Sequence, residues 1–531
     1  MLLAALVQKP KQELDADLDR LIAAGLLFRH GTPPRANYLF KHALVQDVAY
    51  STLLREQRRV LHARIAECLE SQFPEIAQSQ PELLARHYTH ADLIQQSARL
   101  WGKAGQRSQE RSALVEAAEQ LSQALAQIAT LPSTSDLRRE QIVLHVALVN
   151  TLMHVKGYGA LETKAAVAQV RALIEQAERL GETPDDPSLL LSALFGQWIV
   201  NFINFNGDVA RELAARFLEM GEKDGTSVPR MIGHRTMAST LALTGDLVEA
   251  RAHYDEALAL YRPAEHRRLM TRFGQDLRVT CLAFRSMLLW LLGYPKAALR
   301  DADCALMEAR QIEHAATLMF TLNFPILVNT YCGDYHSANE CLKELVALAE
   351  EKGATFRKAE GVLRRGYILT LTGEATKAVD IVRSGIDLWR SAGSTIFTPE
   401  QEFMLAIAHA DAGQFDDAWR CIGEAMTAMQ ATKERWCEAE AHRVAGEIAL
   451  QSPQRDVAKA QAHFEHALTI ARAQRAKAWE LRAAMSLARL LRDQGKRRMA
   501  RDLLAPVYDW FTEGFDTTDL RQAKALLGEL R

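Results

Sequence analysis

Residues 243–261 read LTGDLVEARAHYDEALALY, and the glycine near the start of this stretch marks a turn that recurs along most of the chain. Helix-forming stretches flank it, from Arg230 to Leu243 and from Leu247 to Tyr261. Comparable marks are Gly207-Asp208, Gly293-Tyr294, Gly333-Asp334, Gly373-Glu374, Gly413-Gln414 and Gly495-Lys496. With Gly245 included, successive marks lie 38, 48, 40, 40, 40 and 82 residues apart, and Ser452-Pro453 supplies a turn within the last, doubled gap. Self-similarity at such a period predicts a solenoid of helix pairs.

The second helix of each predicted pair carries alanines where two helices must approach closely. They recur as Ala250, Ala257, Ala298, Ala305, Ala338, Ala378, Ala418 and Ala425. Gly353 and Gly393 stand where a glycine closes a helix at its C-terminus. The pattern resembles the tetratricopeptide repeat in a longer variant, which does not strictly keep the aromatic and proline positions of the consensus of about 34 residues. We therefore expect an all-α fold, a tetratricopeptide-like right-handed helical solenoid with repeats of about 40 residues.

Composition agrees with a long helical protein. The chain is 48% hydrophobic, has 15 prolines in 531 residues, and is too long for one compact core. We find no run of about 18 apolar residues and expect no membrane span. The start lacks a basic leader and a cleavage pattern, and seven cysteines without a C-x-x-C pair suit a reducing compartment, so we expect a cytoplasmic protein. A net charge of -2 argues against nonspecific binding to nucleic acid.

The first seventy residues follow a different pattern. An amphipathic helix pattern is predicted from Pro10 to Leu27, and Gly25 closes that helix. Two strand-like segments, 26–29 and 37–41, follow and are joined by the turn-rich residues 30–35. The apolar face of this helix carries Leu14, Leu18, Leu21 and Ile22.

The next helix is predicted to begin near His42 and to carry apolar side chains toward a core. These side chains are Leu44, Val48, Leu53 and Leu54. Helix, hairpin and helix in this order predict a winged helix. We therefore predict three domains: a partial winged helix with the following helix at 1–70, a helical linker with irregular repeats at 71–190, and regular repeats at 191–531.

Residues 38–50, YLFKHALVQDVAY, and 58–62, RRVLH, resemble the region after the nucleotide-binding module of bacterial signal-transduction ATPases. In one subgroup of that family a class III adenylate or guanylate cyclase domain precedes the ATPase module and a long tetratricopeptide tail. Segments 84–89, 101–105 and 504–515 are similar to that tail. The resemblance implies a sensor and scaffold region that regulates a nucleotide-dependent output module and binds an ATPase or cyclase module in cis or in trans.

His42 matches the histidine of a Met-His-Asp type motif in the wider family, although Lys41 and Ala43 depart from that motif. The resemblance implies that His42 contacts the phosphate of ADP, but only where an ATPase module is present. ATP and ADP are ligands of the full-length family, and we expect no cofactor in this chain alone. The alternative is a histidine that caps the helix start or packs at the corner between strand and helix.

The sequence contains no G-x-x-x-x-G-K-[ST] motif, whose backbone amides and lysine hold nucleotide phosphates. The helical pattern also leaves no room for the mixed sheet of a cyclase domain. We therefore expect that the chain on its own is not an enzyme.

Four basic residues, Arg357, Lys358, Arg364 and Arg365, lie on one predicted helix. They could line the concave groove with which repeat solenoids bind partners, but a solvated helix face is the favoured interpretation. The partner would be a protein or a small-molecule effector.

Two functions from other classes stay open. The chain could be a free-standing adaptor for protein–protein interactions that needs no nucleotide. It could also be a winged-helix transcription regulator, but Asp15, Asp17 and Asp19 on the first helix would repel DNA phosphates.

The pairs His87/His90 and His463/His466 each share one helix face. Two ligands are too few for a zinc site, so we interpret both pairs as structural and predict no metal site. Six tryptophans are expected in the core between repeats rather than in a ligand cage. These are Trp198, Trp290, Trp389, Trp419, Trp436 and Trp479.

Overall fold

The computed structural model describes residues 2–7, 9–32, 36–182 and 188–531. Within these ranges the chain is helical apart from its loops and one two-stranded hairpin. It divides into two compact units. Unit one comprises residues 1–111 and 116–144, and unit two comprises residues 112–115 and 145–531.

Unit one begins with the predicted order of helix, hairpin and helix. Its elements are α1 (Leu2–Val7), α2 (Lys11–Ala23), β1 (Leu27–His30), β2 (Asn37–Phe40), α3 (Ala43–Ser51), α4 (Arg55–Gln72), α5 (Pro74–Ser79), α6 (Pro81–His90), α7 (Ile94–Glu110), most of α8 (Leu114–Ile128) and the first half of α9 (Ser135–Val155). The strands are antiparallel, with Leu27 opposite Phe40. Helix α2 ends earlier than predicted because Gly25 adopts a left-handed φ of 72°. Residues 33–35 of the predicted turn lie outside the described residues.

We call residues 2–61 the N-terminal segment. Among its described residues, apolar side chains are buried in only one place. Leu14, Leu18 and Leu27 form a small core, against which Ile22 and Tyr38 pack. In contrast, the exposed fractions are 76% for Leu44, 61% for Val48 and 69% for Leu54. The prediction that these three point toward a core is therefore wrong, because no described element covers that face of α3.

Unit two is built from helix pairs. Its elements, after the end of α9, are α10 (Leu161–Arg179), α11 (Ser188–Ile203), α12 (Gly207–Asp224), α13 (Ser227–Thr244), α14 (Leu247–Leu260), α15 (Pro263–His266), a 3-10 turn (Arg267–Leu269), α16 (Met270–Phe273), α17 (Leu277–Leu291), α18 (Pro295–Ile312), α19 (Ala315–Cys332), α20 (Tyr335–Glu351), α21 (Thr355–Leu371), α22 (Ala375–Ser391), α23 (Thr398–Asp411), α24 (Phe415–Thr432), α25 (Glu438–Gln451), α26 (Val457–Ala473), α27 (Lys477–Asp493), α28 (Arg497–Asp509) and α29 (Thr518–Glu529). The pairs are α11–α12, α13–α14 and then each successive two helices from α17 to α28. First helices of neighbouring pairs pack on one another, whereas second helices touch little, so the first helices form the inner layer.

The recurring glycines make the turns inside these pairs. From Gly245 to Gly495 the six later marks have φ between 77° and 94°, a left-handed conformation that costs glycine little. The first mark, Gly207, begins α12 instead. The predicted solenoid of helix pairs is confirmed, with a glycine turn at six of the seven marks.

Small side chains let the two helices of a pair approach closely. Ala250, Ala298, Ala338, Ala378 and Ala418 are all fully buried. This confirms the close packing that the recurring alanines predicted.

Helix α19 is long and apolar enough, by composition alone, to cross a membrane, with a mean hydropathy of 1.2. This composition departs from the expectation that no stretch of the sequence is long and apolar enough. In the structure 89% of the helix is buried, and Met319 and Leu322 pack in one cluster with Leu345. Helix α19 is therefore a core helix of unit two.

Repeats that are far apart in sequence also touch within unit two. The carbonyl oxygen of Ile203 accepts hydrogen bonds from the amides of Thr395 (3.1 Å) and Ile396 (2.8 Å). In the same way, the carbonyl oxygen of Leu243 accepts from the amides of Arg435 (2.8 Å) and Trp436 (3.1 Å). Repeats in most solenoids contact only their neighbours. In unit two, backbone hydrogen bonds also join stretches that are about five repeats apart.

Candidate functional site

The four predicted partner-binding residues lie on α21 but face two ways. Arg357 and Arg364 are 3% and 6% exposed. Lys358 is half-buried and Arg365 is exposed. The favoured interpretation of a solvated face is therefore wrong for Arg357 and Arg364, and the helix does not bring the four residues together as one patch. A role for each of them in binding a partner stays a prediction.

Arg364 connects three inner helices. Its Nε donates to Oδ1 of Asn323 (2.7 Å), and its Nη1 lies 3.4 Å from Oε1 of Glu400. The hydroxyl of Tyr331 donates to the same carboxylate at 2.6 Å. A buried charge is tolerated when it is paired and hydrogen-bonded in this way. Arg364 therefore has a structural role in holding α19, α21 and α23 together.

An opening lies further along the inner layer, where α19, α21, α23, α25, α27 and α29 meet. It encloses about 190 Å³. Its polar lining consists of Thr330, Tyr331, Tyr335, Glu440, Arg443, Arg482, Ser486, Arg489, Thr518, Asp519 and Gln522. Its apolar lining includes Leu371, Phe403, Met404, Ile407 and Met485. We call this opening the polar groove.

Arg482 lines the polar groove. Its Nε donates to Oδ2 of Asp519 (2.8 Å), its Nη1 to Oε1 of Glu440 (3.3 Å) and its Nη2 to the carbonyl oxygen of Tyr331 (3.3 Å). Its guanidinium also lies 5.1 Å from the ring centroid of Trp290, a favourable cation–π distance. All three nitrogens are thus engaged within the protein, and Arg482 is a fixed part of the wall.

The charges of the polar groove are not fully compensated. Burial by itself raises the pKa of Glu440, but Arg443 and Arg482 outweigh burial and hold that pKa below its usual range. Arg489, in contrast, donates only to the neutral Oε1 of Gln522 (3.2 Å) and pairs with no carboxylate among the described residues. Arg489 is therefore the cation in the groove that an acidic group could engage.

His42 lies at the N-cap position of α3. Its side chain makes no capping hydrogen bond and is exposed. The two alternatives, a side-chain cap and a residue packed at a corner, are therefore wrong. Its contact with a nucleotide phosphate stays a prediction.

Each predicted histidine pair faces a third histidine on an earlier helix, which the spacing within the pair does not indicate. His62 Nδ1 lies 2.9 Å from Nδ1 of His87, and His442 Nδ1 lies 3.2 Å from Nδ1 of His463. Burial and the neighbouring imidazoles lower the pKa of both His62 and His442 to about 4. In the part of the chain that the structure describes, no group of three or more His, Cys, Asp or Glu side chains is arranged to hold a metal ion.

The sequence carries a signal for some residues of the polar groove. Residues 478–491 read AWELRAAMSLARLL, in which Arg482 and Arg489 interrupt small and apolar residues on an inner helix. An arginine in such a stretch must be paired or must face a cavity. Asp519, in contrast, stands in an ordinary polar helix and carries no such signal.

No family model matches the chain. An uncharacterized protein of Rhizobium meliloti (strain 1021) is 26% identical over 497 residues, which cover 92% of this chain and 47% of that protein. The chain thus spans about half the length of this relative.

Among solved structures, a Rap protein complexed with competence and sporulation factor is similar, with a TM-score of 0.50 and 14% identity over 71% of this chain and 98% of the Rap chain. A tetratricopeptide repeat protein from Parabacteroides merdae has a TM-score of 0.32 and 14% identity, over 57% of this chain and 98% of its own. The chain is an all-α protein of the tetratricopeptide-like solenoid class. The comparisons give no support to an ATPase, a cyclase or a winged helix.

Proposed function

We propose that unit two is a binding scaffold that holds a peptide or protein segment in the polar groove. The observation that carries this proposal is an opening of about 190 Å³ on the inner layer, with fixed walls and Arg489 free of carboxylate partners among the described residues. Repeat solenoids commonly bind partners on this surface. The Rap protein with the similar fold is itself complexed with competence and sporulation factor, which supports the proposal.

The lining of the groove defines the chemistry of the partner. An acidic side chain would pair with Arg489, and an adjacent apolar side chain would contact Met404 and Ile407 on α23. Arginine is enriched among the residues that dominate binding energy, and losing such a contact costs about 2 kcal/mol, or roughly 30-fold in affinity.

The test is affinity capture of the full chain from its own cells after in-cell cross-linking, with wild type, Arg489→Glu and Arg498→Glu compared. Arg498 is almost fully exposed and provides a matched control for the charge change. We expect a partner whose recovery falls at least tenfold with Arg489→Glu and is unchanged with Arg498→Glu, with cross-links to α25 or α27. Equal recovery with all three proteins, or cross-links confined to other helices, would contradict the proposal.

A second candidate function is regulation of a nucleotide-dependent ATPase or cyclase module, in which this non-enzymatic chain senses the partner in the cytoplasm. Two observations favour it: exposed apolar side chains such as Leu44 follow His42, and the relative is about twice as long as this chain.

An immunoblot of source cells gives the mass of the native product. A product well above 59.3 kDa whose bound ADP falls on His42→Ala would support this role, and unchanged ADP would argue against it.

A further inference from the structure

A second cavity lies in unit two and shares no lining residue with the polar groove. Its volume is about 50 Å³, and more than half of its lining side chains are aromatic. Phe195, Trp198, Phe356 and Trp389 form much of the wall and are buried. We call this space the aromatic cavity. Its tryptophans belong to the core as predicted, and they also enclose this space.

Arg235, on α13, points into the aromatic cavity without a charged partner. It is 3% exposed, and its guanidinium lies 5.1 Å from the ring centroid of Phe195 and 5.6 Å from that of Trp198. Its Nε and Nη1 atoms are buried and have no hydrogen-bond partner among the described residues. Burial lowers the pKa of this guanidinium, and the groups that partly offset burial are a thiol and two phenols rather than a carboxylate. Arg235 therefore differs from Arg364, which is paired with Glu400.

Arg357 adds a second guanidinium to the same cavity. Its Nη1 donates to Oε2 of Glu360 (2.7 Å) and its Nη2 to the hydroxyl of Tyr158 (3.0 Å). Its Nε is buried and has no partner among the described residues. The cavity wall thus holds two guanidiniums and the carboxylate of Glu360, which leaves an excess of one positive charge.

His154 does not add to this charge. Its Nε2 donates to the carbonyl oxygen of Gly274 (3.1 Å), which leaves Nδ1 as a buried acceptor without a partner. Burial and the charge of Arg357 lower the pKa of His154 to about 3, so the ring is neutral at pH 7. The unpartnered polar atoms of this cavity are therefore guanidinium donors on two arginines and the ring nitrogen of His154.

We infer that the aromatic cavity binds a small organic monocarboxylate, whose carboxylate pairs with Arg235 and whose apolar body lies against Phe195 and Trp198. One negative charge would compensate the excess positive charge of the wall, and charge-assisted hydrogen bonds would satisfy the free donors. The aromatic wall suits an apolar body rather than a second charged group. The volume of about 50 Å³ limits the ligand to a short-chain acid, since a cavity that holds a benzene ring measures about 150 Å³. Phe320 and Phe397 are only partly buried and mark the entrance.

The test measures thermal unfolding and calorimetric binding of the full chain with acetate, propionate, the neutral propionamide and chloride. Wild type is compared with Arg235→Met, which keeps the length of the side chain without its charge, and with Arg498→Met, an exposed control on α28. We expect acetate or propionate to raise the Tm of wild type and of Arg498→Met to a plateau. Arg235→Met should bind the same acid at least tenfold more weakly, and propionamide should give no plateau.

Without ligand, Arg235→Met should have a higher Tm than wild type, because the variant no longer buries an unpaired charge. A lower Tm for Arg235→Met, together with no response of wild type to either acid, would overturn the inference and leave Arg235 a structural residue. Equal binding of the acids by wild type and Arg235→Met, or a Tm rise with chloride as large as with the acids, would also overturn it.

A peptide carboxylate is the other source of the same chemistry. The tripeptide Gly-Gly-Phe with a free C-terminus and its amidated form separate the two sources. We expect neither to bind, because the cavity is too small, and tight binding of the free peptide alone would overturn the assignment to a small acid. The polar groove is tested with Arg489→Glu, so failure at either site leaves the other proposal standing.

Discussion

The N-terminal segment, residues 2–61, and the repeats of unit two use the same apolar residues with opposite results. Leu44 on α3 is 76% exposed, whereas Leu345 on α20 is fully buried. In the repeats each apolar helix face meets the next helix pair, while the corresponding face of α3 meets no described element. An amphipathic pattern therefore predicts an interface, but it does not say whether the other side of that interface belongs to the same chain.

The largest effect that this comparison predicts is the loss of a buried aromatic side chain in the repeats. Trp479→Ala removes a ring that is buried, packs 4.8 Å from Trp290 and donates from Nε1 to the carbonyl oxygen of Trp436 (3.0 Å). We expect the free energy of unfolding, measured with urea, to fall by about 3–5 kcal/mol. Trp510→Ala, at an exposed position, is the control and should cost clearly less. Equal losses would show that the repeats are not held together by their inner layer.

A smaller effect is expected where two backbone segments touch. A Cβ on Gly159 would lie 1.9 Å from the carbonyl oxygen of Gly393. Gly159→Ala should therefore lower the free energy of unfolding by about 1–3 kcal/mol, since neither backbone can move aside easily. Gly423→Ala, on α24 with no atom within 4 Å of the added carbon, should instead stabilise the protein by about 0.5–1 kcal/mol. A neutral Gly159→Ala would contradict the close contact.

Glu434 is completely buried by the repeats and should make the free energy of unfolding depend on pH. Burial raises its pKa to about 8, compared with 4.5 for the unfolded chain. Between these two values the folded protein keeps a proton that the unfolded chain has lost, so this group's contribution to stability declines as pH rises, by at most about 1.4 kcal/mol per pH unit.

Glu434→Gln should remove that decline in stability. His442 should instead lower stability as pH falls. Because the pKa of His442 is lowered from 6.5 to about 4, its contribution declines as pH falls through that window. Urea unfolding from pH 4 to pH 9 measures both. An unchanged slope above pH 6.5 in Glu434→Gln would show that the carboxyl is ionised when buried.

The smallest effect is expected in the N-terminal segment. Leu44→Ser and Val48→Ser should each change the free energy of unfolding by less than about 0.5 kcal/mol, because both side chains are already in water. Light scattering should show less self-association of the double variant. A loss above about 2 kcal/mol would show that these side chains are buried in solution and that the two regions do not differ in this respect.

The repeat architecture was predictable because its signals are local. A glycine such as Gly333 or Gly373 closes a helix through its own φ, and an alanine such as Ala338 sets the spacing of the two helices that flank it. Both effects act within one repeat and recur with its period. The pattern of the sequence was therefore enough to find the pairs and their turns.

The interior of the solenoid was not predictable in the same way. The burial of Arg357 depends on Tyr158, which is 199 residues away in sequence, and the fixed position of Arg482 depends on Tyr331, which is 151 residues away. Whether Arg235 is paired depends on where the fold places the carboxylates. A single sequence records the types of these residues, but their distances follow only from the packing of the inner layer.

The backbone hydrogen bonds to the carbonyl oxygens of Ile203 and Leu243 have a mechanical consequence. A solenoid held only by contacts between neighbours behaves as an elastic spring and lengthens gradually under load. The four bonds described above join stretches 192 residues apart in sequence, so pulling on the ends of unit two must break them before the coil can open. Its extension under force should therefore show one abrupt step at the start, followed by the gentle stretching of an ordinary repeat array.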